Sequence, residues 1–229
     1  MKAERFYGSR LRRIAAHIGE LVSANPPETP EQSATLLDHL RRYSLVITPW
    51  ANSVAQRMIA DVAREDRNVW RARGAEMGRL LHREIETAPT GLAMQQILAE
   101  QVGLITSLPI EAAERVHKLT IEGITNSTRA KEIAAEIMRT GEVTKSRAMT
   151  IARTEVSRTA TTLTMVRAQH VGSTYFEWVI ADSRARPSHK ALNHQRFRWD
   201  TPPECDKGIR ALPGCVFNCR CRPRVIFDD

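Results

Sequence analysis

The sequence predicts an α+β protein, mostly helical in its N-terminal and middle parts, with a small irregular β-containing module at the C-terminal end. Before Gly172, apolar residues recur at three- and four-residue spacing between prolines. After Gly172, short runs rich in aromatic and β-branched residues alternate with loops that contain proline, glycine and asparagine. We therefore expect a helical region at 1–127 and a second region at 128–229, with helices over 129–170 and a cysteine-bearing β module over 173–229.

Proline marks the helix boundaries of the N-terminal region. A proline fits the first turn of a helix, where its missing N–H has no partner to lose, and it interrupts the interior. The first expected helix, at about 3–24, is followed by Asn25-Pro-Pro, and the next two begin at Thr29-Pro30 and Thr48-Pro49. The third is a long amphipathic helix to about Thr87, and two more are expected at about 90–106 and 110–126, on either side of Leu108-Pro109.

Two further helices and three strands are expected in the second region. The shorter helix covers about 129–139 and ends at Gly141, and the longer covers about 145–169, with Thr144 as its N-cap and Gly172 as its end. Strand-like runs follow at 175–181, 196–199 and 222–227.

The charge of the chain favours a polyanionic neighbour. Lys and Arg number 34 against 26 Asp and Glu, which gives a formal charge of +8, and the excess lies in the C-terminal half. Nucleic acid is one such neighbour, and charge that serves only solubility is the plain alternative. If DNA is bound, we expect Arg147, Arg158 and Arg167 to face it through phosphate contacts with little sequence preference.

The sequence contains no candidate membrane span. No run approaches the roughly 18 apolar residues that a transmembrane helix needs, and the N-terminus lacks the apolar core of a signal peptide. We therefore expect a protein that folds in the cytosol, without a membrane partner. Cysteines in such a reducing compartment are more often metal ligands, reactive thiols or core residues than disulfides.

All four cysteines of the chain, Cys205, Cys215, Cys219 and Cys221, lie within 17 residues of one another. In an extended segment, side chains two residues apart point the same way, so the thiols of the Cys-x-Cys pair face one object. Zinc is one candidate for it, with three ligands from Cys215, Cys219 and Cys221 and the fourth from Cys205 or His189. A disulfide and plain packing beside Phe217 and Trp199 are the alternatives.

A polar run, Asp182, Arg184, Arg186 and His189, admits a catalytic interpretation, because a carboxylate beside a histidine can form a general base. An enzyme of this kind would be a nuclease or a toxin-like transferase. The chain lacks a nucleophile elbow, a glycine-rich phosphate loop and an Asp-x-Asp motif, so we do not predict an enzyme. The alternative is a polar loop in which Asp182 accepts a hydrogen bond from Arg184 or Arg186 and His189 holds a turn.

An ordered set of motifs resembles the phage Mu F-like family of minor head, or head morphogenesis, proteins. The set covers roughly residues 128–227 and consists of Ile151-Ala-Arg153-Thr154-Glu155, Trp178, Asp182-x-Arg184-x-Arg186-x-x-His189, Pro213-Gly and Cys219-Arg-Cys221. One departure is His194 in Leu192-Asn193-His194, since such proteins usually carry glycine there, and the expected tight turn therefore lacks its glycine.

The resemblance implies a structural virion protein of a tailed phage, assembled in the host cytoplasm and located in the head. Its expected partners are the portal protein and other capsid proteins, with a part in head assembly and in DNA packaging or delivery; nonspecific DNA contact is a further expectation. A sequence-independent DNA-binding module unconnected with capsids is an alternative. By analogy, Arg153 and Glu155 are expected to hold the C-terminal module on the helical body, rather than form weak ion pairs on a solvated helix face.

Overall fold

The computed structural model describes residues 2–27, 29–77, 87–125 and 130–227 and confirms the α+β class. Helices precede a small region of short strands. In chain order the elements are α1 Lys2–Ala24, α2 Pro30–Val46, α3 Thr48–Met77, α4 Thr90–Thr125, α5 Ala130–Met138, α6 Thr140–His170, β1 Tyr175–Val179, α7 Pro187–Ala191, β2 Arg196–Arg198, β3 Glu204–Asp206, β4 Ile209–Arg210 and β5 Arg222–Ile226.

The prolines mark the first helix boundaries as predicted: α1 ends before Asn25-Pro-Pro, α2 begins at Pro30 and α3 begins at Thr48. At the start of α2, Thr29 is the N-cap: its Oγ1 accepts a hydrogen bond from the Gln32 backbone N–H, and the Gln32 side chain accepts one from the Thr29 backbone N–H, both at 3.3 Å. This capping box satisfies two N–H groups that have no partner within the helix. The predicted continuation of α3 towards Thr87 lies largely outside the described residues.

The predicted break at Pro109 is wrong, because α4 runs continuously through that proline. A proline inside a helix costs about 3 kcal/mol. Ile105, Leu108, Ala112 and Val116 form one buried stripe that spans it. Burial of a large apolar side chain contributes roughly 1.5 to 3 kcal/mol. The stripe as a whole therefore outweighs the local cost of the proline.

The predicted roles of Gly141 and Thr144 are also wrong, since both lie inside α6. Gly141 is a packing residue rather than a helix end: a Cβ there would lie 2.8 Å from the Cα of Gly19 in α1, too close for any side chain. Thr144 is not an N-cap, and its Oγ1 donates a 2.8 Å hydrogen bond to the Thr140 carbonyl. Gly172, with a φ of +86°, follows the end of α6 as predicted.

The chain divides into two compact units, each built from two segments. Unit 1 comprises 1–56 and 99–152, and unit 2 comprises 57–98 and 153–229. The division predicted between residues 127 and 128 lies outside the described residues. Among the described residues of unit 1 the regular elements are all helical, and a buried hydrogen bond of 2.9 Å from the Tyr7 hydroxyl to Oε1 of Gln101 joins α1 to α4.

Unit 2 contains the strands. An antiparallel three-stranded sheet has the order β2-β1-β5, which confirms the three predicted strands, and the short pair β3-β4 forms a second sheet. The sequence reasoning missed β3, β4 and the five-residue α7. The core of this unit is aromatic, with Phe176 and Trp199 at a centroid separation of 4.8 Å beside the fully buried Trp70 and Trp178.

Across the described residues, every helix is too short or too polar to cross a lipid bilayer.

Candidate functional site

Helix α6 holds the cysteine-bearing segment, residues 213–221, through short polar contacts. The Asn218 backbone N–H donates to Thr154 Oγ1 at 3.1 Å, and Arg153 Nη1 donates to Asn218 Oδ1 at 3.2 Å. Two turns further along, Thr161 Oγ1 donates to the Pro213 carbonyl at 2.7 Å. Thr154 and Glu155 are each only 8% exposed, so this part of α6 is not a solvated face. Arg153 thus contacts the segment as the holding role requires, while that role stays a prediction for Glu155; the sequence reasoning missed Asn218 and Thr161.

Two residues of this segment adopt left-handed backbone conformations. Asn218 has a φ of 56°, which asparagine tolerates better than most residues, and Gly214 has a φ of +83°. A Cβ on Gly214 would lie 3.0 Å from the Cys221 carbonyl oxygen and 3.1 Å from Thr161 Oγ1. Glycine therefore permits the close approach of this turn to α6.

The structure brings together three of the five predicted metal ligands. Nδ1 of His189 lies 3.5 Å from Sγ of Cys219 and 3.5 Å from Sγ of Cys221, and all three residues are buried. Cys205 and Cys215 lie outside this group, and all four cysteines, each of them described, are free thiols. The Cys205 thiol donates instead to the Ile209 carbonyl at 3.5 Å.

The two central thiols differ in acidity. The pKa of Cys219 is lowered, because its sulfur accepts hydrogen bonds from the Cys221 thiol and from the backbone N–H groups of Cys221 and Gly214. The same hydrogen bond and burial raise the pKa of Cys221. Burial raises the pKa of Cys215 to about 12. Of the three, Cys219 is thus the sulfur best stabilised as a thiolate.

The carboxylate that faces His189 is Asp206, which the sequence reasoning missed. Asp206 Oδ1 lies 3.6 Å from His189 Nε2, and the Asp206 carboxylate is held by Arg186 and by a 3.1 Å hydrogen bond from Ser188 Oγ. Pro187 at the start of α7 places Ser188 and His189 in one turn. No local pattern in the sequence marks Asp206 as their partner, because it lies 17 residues beyond His189 in a strand of three residues.

The pairing of Asp182 with His189 that the catalytic interpretation requires is not present. The Asp182 carboxylate accepts a 2.8 Å hydrogen bond from Arg184 Nη2, and this contact lowers the pKa of Asp182. The polar-loop alternative, in which Asp182 pairs with a neighbouring arginine, therefore describes this residue correctly. The geometry provides no Asp182–His189 general base.

A pocket of about 350 Å³ lies over the three clustered side chains. Four arginines from α6 and the loops line it together with Asp182. The lining thus combines soft ligand atoms with an excess of positive charge, which suits an anionic or polar occupant. The arginines are Arg153, Arg184, Arg186 and Arg220.

The three arginines expected to face DNA have different environments. Arg158 is exposed, while Arg147 forms a 3.1 Å ion pair with Glu111. The expectation for Arg167 is wrong: its side chain is 3% exposed and its Nε donates to Asp66 Oδ2 at 2.7 Å. A buried guanidinium with a carboxylate partner cannot contact DNA phosphates.

The turn that lacks its usual glycine forms with histidine. His194 adopts a φ of 63°, in the region that favours glycine, and its backbone N–H donates to the Trp178 carbonyl at 2.8 Å. Its ring also contacts the Glu177 carboxylate. These two contacts offset the strain of a left-handed histidine.

Comparison with known proteins gives a family, a distant relative and no structural precedent. The model of a family described as Phage Mu protein F like protein matches residues 114–224. A Haemophilus influenzae (strain ATCC 51907 / DSM 11121 / KW20 / Rd) protein described as uncharacterized is 31% identical over 135 residues. The alignment covers 58% of this chain and only 29% of the relative's length. No solved structure matches the chain.

Proposed function

The chain belongs, through residues 114–224, to the phage Mu F-like protein family, and on this premise we propose that it is a minor head protein that joins the portal vertex of a tailed phage during assembly. The family match carries the proposal. Membership suggests a role in phage head morphogenesis, a place in the virion and interaction with other head proteins. The portal vertex and a part in DNA packaging or delivery are the finer steps that we add.

Exposed arginines of unit 2 support a contact with packaged DNA. Arg158 on α6 and Arg220 in the cysteine segment are exposed, and the Arg184 side chain is 82% exposed. Contacts between guanidinium groups and phosphate oxygens carry no information about base sequence. DNA binding by these arginines would therefore be nonspecific and would weaken steeply as salt is raised. Such a contact suits a protein that meets DNA of any sequence during packaging or delivery.

The assembly role is tested by deleting the gene from the phage and supplying the chain with an affinity tag. We expect the tagged chain in purified heads and in a stoichiometric complex with the portal protein of the same phage, and we expect heads made without it to package or deliver DNA poorly. Absence of the chain from purified heads would overturn the proposal. Its presence in heads without binding to isolated portal would overturn only the portal step.

The DNA contact is tested separately by titrating the purified chain with duplexes of unrelated sequence between about 50 and 200 mM salt, where several phosphate contacts should change affinity by orders of magnitude. Arg158→Gln should weaken binding and reduce the salt dependence. Arg42→Gln is the matched control, since it removes an equally charged side chain, 73% exposed, from α2. Equal effects of the two changes, or a flat salt response, would remove DNA from the proposal.

A further inference from the structure

The cluster of His189, Cys219 and Cys221 has the dimensions of a metal site. One ligand atom from each of the three lies within 4.8 Å of the other two, and both sulfurs lie 3.5 Å from the same ring nitrogen. In a tetrahedral zinc site, bonds of about 2.3 Å to sulfur and about 2.0 to 2.1 Å to nitrogen place each sulfur about 3.6 Å from the nitrogen. A zinc ion would therefore fit between them with little rearrangement.

Hydrogen bonding alone does not satisfy this cluster. The Cys221 thiol donates to the Cys219 sulfur, so the Cys219 thiol is the one left to donate to Nδ1 of His189, which has a single lone pair. The other ring nitrogen, Nε2, is buried without a hydrogen-bond partner in the described part of the chain. A cation bound by Nδ1 and both thiolates would use all three ligand atoms and require Nε2 to carry the proton.

The surroundings of the cluster resemble the outer shell of a zinc site. Metal-bound histidines commonly direct their other ring nitrogen at a carboxylate, and here Asp206 Oδ1 lies 3.6 Å from Nε2, fixed by Arg186 and Ser188. Cys219 Sγ also accepts hydrogen bonds from the backbone N–H groups of Gly214 and Cys221, each at 3.4 Å. Such donors stabilise negative charge on a ligating sulfur.

We propose that Cys219, Cys221 and His189 bind one zinc ion, with the fourth coordination position facing the pocket beside Arg153 and Arg186. The pocket is lined by all three ligands, so this position is accessible to water or a small anion rather than closed by a fourth side chain. Cys205 and Cys215 are not ligands. This inference does not depend on a role in the phage head.

The proposal is tested by incubating the purified, reduced chain with zinc chloride, removing free ion by gel filtration and measuring bound zinc by elemental analysis. We expect about one zinc per chain in the parent and less than about a tenth in the Cys219→Ser, Cys221→Ser double variant, because thiolates supply most of the affinity. Cys215→Ser is the matched control and should keep the ion. Parent protein without bound zinc, or equal zinc in parent and double variant, would overturn the proposal.

A second measurement uses the parent alone, so that its outcome does not depend on the folding of the double variant. Cobalt(II) chloride in place of zinc should give sulfur-to-cobalt charge transfer and the intense visible bands of a tetrahedral ion, and added azide should shift those bands if the fourth position is open. A spectrum without charge transfer would overturn the ligand assignment. A spectrum indifferent to azide would overturn the open position. A Cys219–Cys221 disulfide, detected by mass spectrometry of unreduced alkylated protein, would overturn the site as a whole.

Discussion

Replacing Arg167 by methionine should destabilise unit 2 by about 3 to 5 kcal/mol, because it leaves the buried carboxylate of Asp66 without its charged partner. The two side chains are 3% and 5% exposed, and Arg167 Nε donates to Asp66 Oδ2 at 2.7 Å. The other carboxylate oxygen keeps its 2.8 Å hydrogen bond from Thr164 Oγ1, which offsets part of the loss. We therefore expect a value near the lower end of that range.

Urea unfolding followed by tryptophan fluorescence provides the assay, since Trp70, Trp178 and Trp199 all lie in unit 2. Arg198→Met is the matched control. Its ion pair with Asp200 has the same 2.7 Å separation, but the two side chains are 48% and 58% exposed, so solvent screens the interaction. If Arg167→Met moves the unfolding midpoint no further than Arg198→Met does, burial of the pair is not what stabilises it.

The pH dependence of this deficit has a definite sign. Burial raises the pKa of Asp66 above its ordinary value of 3.8, so near and above that value the native state binds more protons than the unfolded state. Stability from this group therefore falls as pH rises through the window between its unfolded and folded pKa values. Loss of Arg167 raises the folded pKa of Asp66 further, so the deficit should shrink on acidification from about pH 7 to about pH 5. A deficit that grows on acidification would refute this reasoning.

Three further outcomes are expected from α6 and the segment that it holds. Arg153→Ala should expose the chain to limited proteolysis near Gly172 while unit 1 stays folded; an unchanged cleavage pattern would contradict the holding role. Gly214→Ala should destabilise unit 2 more than Gly208→Ala in urea melts, since both glycines have positive φ but only Gly214 would clash; equal losses would leave backbone strain as the sole cause. Thr161→Val should cost about 1 to 3 kcal/mol in the same assay, because a buried carbonyl loses its donor; an unchanged midpoint would show that water replaces the hydroxyl.

The sequence predicted helix boundaries correctly where a few adjacent residues determine them. The capping box at Thr29 and the positive φ of Gly172 are properties of a few adjacent residues, and both boundaries are confirmed. Pro109 and Gly141 were misread because their surroundings come from elsewhere in the chain: a buried apolar stripe carries α4 through the proline, and Gly19 packs against the glycine. Helix-breaking residues predict an end only where tertiary packing does not compensate.

The side chains that cluster at the candidate site were partly predictable, whereas the residues that support them were not. Cysteine spacing identified Cys219 and Cys221, since side chains two residues apart can face one object. The carboxylate at His189 was not identified, because proximity in sequence points to Asp182 and only the fold brings Asp206 to the ring. The burial of Arg167 could not be predicted from the sequence either, since its partner, Asp66, lies 101 residues away.

Helix α6, which carries the first part of the family motif, is joined to the cysteine-bearing last part by hydrogen bonds to backbone groups. The turns between Pro213 and Cys219 belong to no strand, so their N–H and C=O groups need other partners. Threonines of α6 provide two of them: Thr154 accepts from the Asn218 N–H, 64 residues away in the chain, and Thr161 donates to the Pro213 carbonyl. Because Cys219 follows Asn218 directly, these hydroxyls help to fix the sulfur that faces His189. The helix motif and the cysteine motif are therefore connected by hydrogen bonds, and a substitution at Thr154 should alter the position of the Cys219 sulfur.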